Sequence, residues 1–436
     1  MSLMVKKQKK KSKSSRLLSY LKSSKGGVTI FAIVFAVVGG VLVYSSFASV
    51  DPYDLERQSK LVDDPARGVV YKGLKPIKKN IDHPCVGGFE VEGIDPKLGR
   101  PLCTHGPDPA PKGVNIKDPV RVKKQVDAAY RASFNSKVQN EKDLDQQNNS
   151  VAQLDPSQSL LDQIDLTDIE KSVKLTDKCV GDGTAGNRIV LIYAYTPDYN
   201  NGTYVKPIMR DLSRALQGVF YYNTLSSKQV LRFRHNANCE PLIYSVQLEN
   251  SDINGDYNSE YARIVNRLIS KGFNSNTRKY IVWVDANLAL VDNCGVADFF
   301  DDSDYENSKN NNDIYGGYSI IGPGCWSLGT TLHEFMHNLG AVQPVAPNFG
   351  YGAHCLDEFD IVCYNTEESR LVCPTDIKTS LRPIIVYDLD CKDNDYWNDS
   401  CLKCLKYTGN LFGVSYTKSY WNSRNTSWLS ATYSSK

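Results

Sequence analysis

The sequence predicts an α+β fold, in which a mixed, twisted sheet supports one helix that bears a chemical motif. Two observations predict it: several apolar runs have the length and composition of buried strands, and amphipathic helical segments alternate with them. The predicted strands are 188–196, 230–234, 243–248, 279–284 and 315–321, and the predicted helices are 205–217 and 260–271.

Each prediction rests on composition and spacing. Residues 188–196 and 279–284 are short, apolar runs rich in Ile, Val and Tyr, which is typical of strands covered on both faces. Residues 260–271 place apolar side chains at helical spacing, which indicates an amphipathic helix. Residues 421–429, near the end of the chain, are predicted to form a closing helix.

A further helix is predicted around the run Thr-Thr-Leu-His-Glu-Phe-Met-His-Asn-Leu-Gly. Its apolar residues fall at helical spacing and would form one buried face: Leu332, Phe335, Met336 and Leu339. Gly340 follows the last of them, where a residue in the left-handed conformation commonly ends a helix. The predicted strand 315–321 comes shortly before and would place this helix beside the sheet.

This helix contains the one HExxH motif of the chain, from His333 to His337. Residues four apart lie on the same face of a helix, so both imidazoles can reach one Zn²⁺ ion. Glu334 stands beside the first of these ligands, where a carboxylate can act as a general base. The alternative is a helix that carries two histidines without a metal.

A catalytic zinc site needs a third protein ligand. His354 is the nearest histidine downstream and follows a glycine-rich turn, which makes it the predicted third ligand. Asp357, Glu358 and Asp360 are alternatives as ligands, or as groups that orient a ligating histidine. Gln343 is a weaker candidate because a neutral amide is a poor ligand for zinc.

The spacing His333-Glu-x-x-His337-x-x-Gly340 resembles the first part of the metzincin motif, which continues to a third histidine and a methionine-containing turn. This chain departs from the motif twice: Gln343 stands where the third histidine is expected, and Val362 stands where methionine is expected. Metzincins that resemble leishmanolysin carry an insertion before the third histidine. Tyr364 has the spacing of a tyrosine that assists catalysis in astacin-like members.

Residues 181–188 and 338–343 also resemble segments of a group of secreted bacterial proteins, and this resemblance covers roughly residues 176–430. The bacterial resemblance concerns the fold and the metal more than the substrate, whereas the resemblance to metzincins implies a metzincin-like catalytic domain over residues 176–436. It would be a zinc endopeptidase with a zinc-activated water, Glu334 as general base and Tyr364 as a further catalytic residue. The alternatives are a non-catalytic surface adhesin or binding module that retains the fold, and a zinc amidase acting on cell-wall peptides.

The N-terminus predicts export. Residues 1–25 contain nine Lys or Arg and no acid, and residues 26–50 contain no charge, which is enough helix to cross a bilayer. Positive charge before an apolar span keeps the N-terminus in the cytoplasm, so lipid and not nucleic acid is the predicted partner. The span is either a membrane anchor or a signal peptide cleaved near Ala48.

All twelve cysteines follow residue 80, on the exported side, which favours disulfides. Close spacing makes Cys85–Cys103 and Cys355–Cys363 plausible pairs. The first pair would close an element in the Pro- and Gly-rich residues 51–118, and the polar residues 119–175 would form a stalk or a pro-segment.

Four carboxylates crowd residues 388–395, where hard oxygen ligands suit Ca²⁺. The spacing does not match an EF-hand, so a solvated acidic turn is the alternative to a calcium site.

Overall fold

The fold described below is that of a computed structural model. The structure describes Asp63 and the following ranges: 70–78, 82–107, 177–200, 202–224, 227–254, 257–286, 295–323, 325–326, 328–349, 352–355, 360–362, 389–390, 395–399, 403–411 and 414–435. The predicted cytoplasmic tail (1–25), membrane span (26–50) and stalk (119–175) lie outside these ranges. Among the described residues, no helix combines the length and apolar character that a bilayer span requires.

Within the described part of the chain, the two longest strands have eight residues each and pair with one another in the largest sheet. In chain order the strands are β1 Leu74–Pro76, β2 Phe89–Val91, β3 Cys103–Thr104, β4 Lys178–Cys179, β5 Arg188–Tyr195, β6 Val230–Leu231, β7 Ile243–Gln247, β8 Arg278–Asp285, β9 Gly295–Ala297, β10 Gly317–Ile321, β11 Lys406–Leu411, β12 Val414–Ser419, β13 Leu429–Ser430 and β14 Ser434–Ser435. The helices are α1 Gly202–Asn223, α2 Asn250–Ile253, α3 Tyr257–Ser270, α4 Asn311–Ile314 and α5 Leu328–Asn338.

The largest sheet has five strands in the order β7-β5-β8-β10-β9. Its first four strands are parallel, and β9 pairs with β10 in the antiparallel direction, so the sheet is mixed. Seven of the eight residues of β5 are buried, as are six of the eight in β8. This burial explains why both strands read as continuous apolar runs.

The main hydrophobic core joins this sheet to α1 and α5. It contains Leu191 and Tyr193 from β5 and Ile281 and Trp283 from β8, together with the apolar faces of both helices. The Trp283 indole also donates a hydrogen bond to Thr331 on α5, at 3.1 Å. The core therefore fixes the position of α5 against the sheet.

A smaller three-stranded antiparallel sheet, β1-β2-β3, precedes the large one in sequence. The predicted disulfide Cys85–Cys103 is present and closes this element, and a second disulfide joins Cys179 to Cys239. Cys355 is disulfide-bonded as well. Because Cys363 lies outside the described residues, the pair Cys355–Cys363 stays a prediction.

The mixed sheet with its helices confirms the coarse fold class. The five predicted strands and the predicted helices 205–217 and 260–271 are all present, although the second predicted strand shrinks to β6 and α1 extends beyond its predicted ends. The predicted closing helix over residues 421–429 is wrong. Trp421 and Trp428 are fully buried there, and the chain forms one 3-10 turn, Ser423–Asn425, before β13. The apolar spacing in this segment reflects core contacts of an irregular chain.

Candidate metal centre

Helix α5 presents the two histidines of the HExxH motif. The apolar residues predicted to form one face are fully buried: Leu332, Phe335 and Met336 in the helix, and Leu339 immediately after it. They anchor the helix in the core and so fix its rotation about its own axis. His337 is fully buried and His333 is half-buried, which places the two imidazoles at the margin of the core.

The end of α5 turns the chain back sharply. Gly340 has φ of 81°, and the amide of Ala341 donates to the carbonyl of Met336 while the amide of Gly340 donates to that of His337. This pair of bonds is the Schellman arrangement, which requires the left-handed conformation that glycine adopts readily. Gln343, in the position expected for a third histidine, donates to the carbonyls of Phe300 and Gly340 and holds this turn.

His354 reaches the same place from a later loop. Ala353 before it has φ of 58°, a left-handed conformation that is uncommon outside glycine. After it, Cys355 pairs with Phe349 in an isolated antiparallel bridge, and its amide lies 3.3 Å from the carbonyl of Val362. His354 is therefore held in a tight, buried loop.

The three histidines converge. The Nε2 atoms of His333 and His337 lie 3.1 Å apart, and each lies 3.2 Å from the Nε2 of His354. Three nitrogens that each lie about 2.0–2.1 Å from one zinc ion at tetrahedral angles are roughly 3.3 Å apart. The three side chains could hold a metal ion, and their spacing fits zinc.

The hydrogen bond of His333 agrees with a ligating role. Its Nδ1 lies 2.8 Å from the carbonyl oxygen of Ile361. A carbonyl only accepts, so Nδ1 donates, and in the neutral imidazole Nε2 then keeps the lone pair that a metal ion would need. An outer N–H donated to a backbone carbonyl is the usual support of a metal-bound histidine.

Glu334 is buried, and its carboxylate lies against the backbone of β9. A Cβ added to Gly295 would meet the Glu334 Oε1, and would lie only 2.6 Å from its Cγ and 2.7 Å from its Cδ. Any larger residue at position 295 would therefore displace the Glu334 side chain, whereas the backbone angles of Gly295 impose no such restriction. The strand thus determines where the carboxylate can stand.

A series of buried hydrogen bonds connects α5 with two strands of the large sheet. The Lys279 ammonium donates to the carbonyl and the Oδ1 of Asn338, the Asn338 amide donates to Ser319 Oγ, and that hydroxyl donates to the carbonyl of Glu334. Burial lowers the pKa of Lys279 to about 7. These bonds tie the last two turns of α5 to β8 and β10.

Sequence reasoning missed a fourth histidine. His105, just after β3, is buried, and its ring centroid lies 4.2 Å from that of His337 and 5.2 Å from that of His354. It does not belong to the group whose ligand atoms converge. Its signal in the sequence was only its place after Cys103, because nothing local connects it with a motif far along the chain.

A second group that could hold a metal ion consists of Asp360, Asp390 and Asp395, which are all buried. Asp390 Oδ2 accepts hydrogen bonds from the amides of residues 395, 396 and 397, and Asp395 accepts two from Asn348. Asp390 and Asp395 are thus buried, not solvated as the acidic-turn alternative expected. That calcium is the ion stays a prediction.

The remaining sequence-predicted site residues fall outside the described ranges: Tyr364, Asp357 and Glu358. Val362, in the position expected for methionine, is fully buried in the main core. The carboxylate alternative Asp360 lies with the acidic group and not with the histidines.

Comparison of the chain with protein-family models and with characterised proteins finds no match.

Proposed function

We propose that this chain is a zinc-dependent endopeptidase of metzincin-like type that acts outside the cytoplasm, attached through residues 26–50 or released by cleavage near Ala48. The observation that supports it most directly is the convergence of His333, His337 and His354 within 3.2 Å of one another, next to the buried Glu334. A purely structural zinc site normally has four closed protein ligands, and three leave a position for chemistry.

Each side chain of the site has its own proposed role. His333, His337 and His354 would hold the zinc, which supplies a Lewis acid for the peptide carbonyl and makes water a nucleophile near neutral pH. Glu334 would take the proton of the attacking water on its carboxylate and then deliver it to the nitrogen of the leaving amine. Tyr364 is proposed to donate a hydrogen bond to the oxygen that becomes negative in the transition state.

The surroundings of Glu334 suit this role. The carboxylate stands beside β9, the edge strand in the described sheet order. All three residues of β9 are buried, so this strand protects one side of the carboxylate. The proposed substrate is a protein or peptide.

The test compares the full, oxidised, zinc-loaded chain with Glu334→Gln for cleavage of an unstructured protein. We expect cleavage by the wild type alone, with zinc bound equally by both. Glu306→Gln is a matched control, because the Glu306 carboxylate is exposed and pairs with Lys309 at 2.8 Å. Equal cleavage by wild type and Glu334→Gln would exclude Glu334 as the base. Zinc binding without cleavage by either would favour the binding module.

A further inference from the structure

One side of the metal centre is formed by the element that the disulfide Cys85–Cys103 closes. Strand β3 ends at Thr104, and the next residue, His105, is about 2% exposed. This residue belongs to the disulfide-closed element that precedes the large sheet in sequence, whereas all three converging histidines come from α5 and the loop after it. The site is therefore built from distant parts of the chain.

The buried ring of His105 contacts two of the three ligand rings. Its imidazole is tilted by 39° against that of His337, and it meets the ring of His354 edge-on, at 84°. Phe299 closes the same pocket, with centroids 6.0 Å from His105 and 6.2 Å from His337. His105 therefore limits the space into which the rings of His337 and His354 could rotate.

Buried hydrogen bonds hold the backbone two residues before His105. The neighbouring Cys103 carbonyl accepts from the amide of Phe299 at 3.0 Å, and the Cys103 amide donates to Asp298 at 3.1 Å. Arg100 forms a buried ion pair with the same Asp298 and also donates to the carbonyl of Gly316. The segment thus spans from the edge of the sheet to the metal centre through buried polar contacts.

We propose that His105 is a positioning residue of the metal centre, which holds His337 and His354 in ligating orientation by ring packing. The inference rests on the metal site of the proposed function. It also assigns residues 82–107 to the working enzyme, because this segment supplies both His105 and the Arg100 side chain that pairs with the buried Asp298.

The expected size follows from how metal ligands are supported. Residues that orient ligands contribute roughly 10–100-fold to metal affinity in proteins. Loss of the ring at position 105 lets two of three ligands rotate, so a loss in that range is expected. A change in ligand angles should also alter the absorption bands of Co²⁺, whose intensity depends on the geometry of its ligands.

The test uses His105→Phe and His105→Gln in the full, oxidised chain. Both variants keep most of the buried volume, but only phenylalanine keeps a ring. We expect His105→Phe to bind zinc within a few-fold of wild type by chelator competition, with a similar Co²⁺ spectrum. We expect His105→Gln to lose about tenfold or more in affinity and to show a changed spectrum. Circular dichroism checks that each variant is folded.

The matched control is His235, another buried histidine, whose Nε2 accepts from the amide of Val180 at 3.1 Å. His235→Gln should lower the melting temperature without changing zinc affinity. Unchanged affinity in both His105 variants, or an equal loss in both, would overturn the ring-packing role. Because metal binding and not cleavage is read, a wild type that binds zinc but cuts nothing would contradict the peptidase and leave this inference intact.

Discussion

Gly295→Ala should separate the position of Glu334, the proposed general base, from the rest of the candidate metal centre. The added methyl carbon would stand 2.6 Å from Cγ and 2.7 Å from Cδ of Glu334, and these are the side-chain atoms nearest to it together with Oε1. Carbon atoms in contact are about 3.5–4.0 Å apart. The Glu334 side chain must therefore withdraw by about 1 Å, while the backbone of β9 can stay in place.

The kinetic cost follows from that displacement. A catalytic group misplaced by about 1 Å loses roughly 10²-fold in rate, which corresponds to about 2.7 kcal/mol of transition-state stabilisation. The free energy of unfolding should fall little, because the flexible Glu334 side chain moves while the packing of the core stays unchanged. The histidines should keep the metal, since none of their atoms is among the nearest three to the added carbon.

The assay measures kcat/KM on an unstructured protein, with zinc content and melting temperature measured on the same samples. Val296→Ala is the control, because the next residue of a strand points to the opposite face and its truncation should leave Glu334 in place. Cleavage by Gly295→Ala within threefold of wild type would refute the reasoning. Loss of zinc would refute it as well, because the effect would then not pass through Glu334.

Two further predictions concern the framework around the site. Asp298→Ala should lower the free energy of unfolding by about 3–5 kcal/mol, because it leaves Arg100 buried without its partner, and Asp298→Leu with Arg100→Leu should cost less than the single change. Equal costs in urea unfolding would contradict this. For Lys279, whose pKa falls to about 7 on burial, the folded protein releases a proton that the unfolded chain keeps between pH 7 and about 10. The unfolding free energy of wild type relative to Lys279→Met should therefore rise with pH over 7–9, by at most about 1.4 kcal/mol per unit. A flat or falling difference would show that Lys279 keeps an ordinary pKa.

The parts of the site that sequence could predict are those specified by short-range geometry. His333, His337 and the buried face of α5 follow from helical spacing, and Gly340 follows from the backbone conformation of a helix end. His354 was predicted by its position after a glycine-rich turn, and it converges with the other two. Each of these inferences needs only a few residues around the motif.

The parts that could not be predicted depend on contacts between distant segments. Strand β9 has three residues, too few to show a period, so the role of Gly295 beside Glu334 left no pattern in the sequence. His105 follows a cysteine with no motif around it. The segment 421–429 was misread because buried tryptophans in an irregular chain give the same apolar spacing as a helix.

The candidate metal centre therefore depends on more of the fold than the helix that carries the HExxH motif. Each converging group of the site is supported by a different segment: Gly295 bounds Glu334, the carbonyl of Ile361 orients His333, and His105 packs on His337 and His354. In a helix with the motif alone, these side chains would be free to rotate. The entropy that they lose when they bind a metal ion would then lower the affinity for that ion. Conversely, a metal that binds only the assembled arrangement stabilises all of these segments together, by about 2.7 kcal/mol at a concentration 100 times its Kd. The element closed by Cys85–Cys103 lies far from the motif in sequence, but it shares in that stabilisation because it supplies one of the supports.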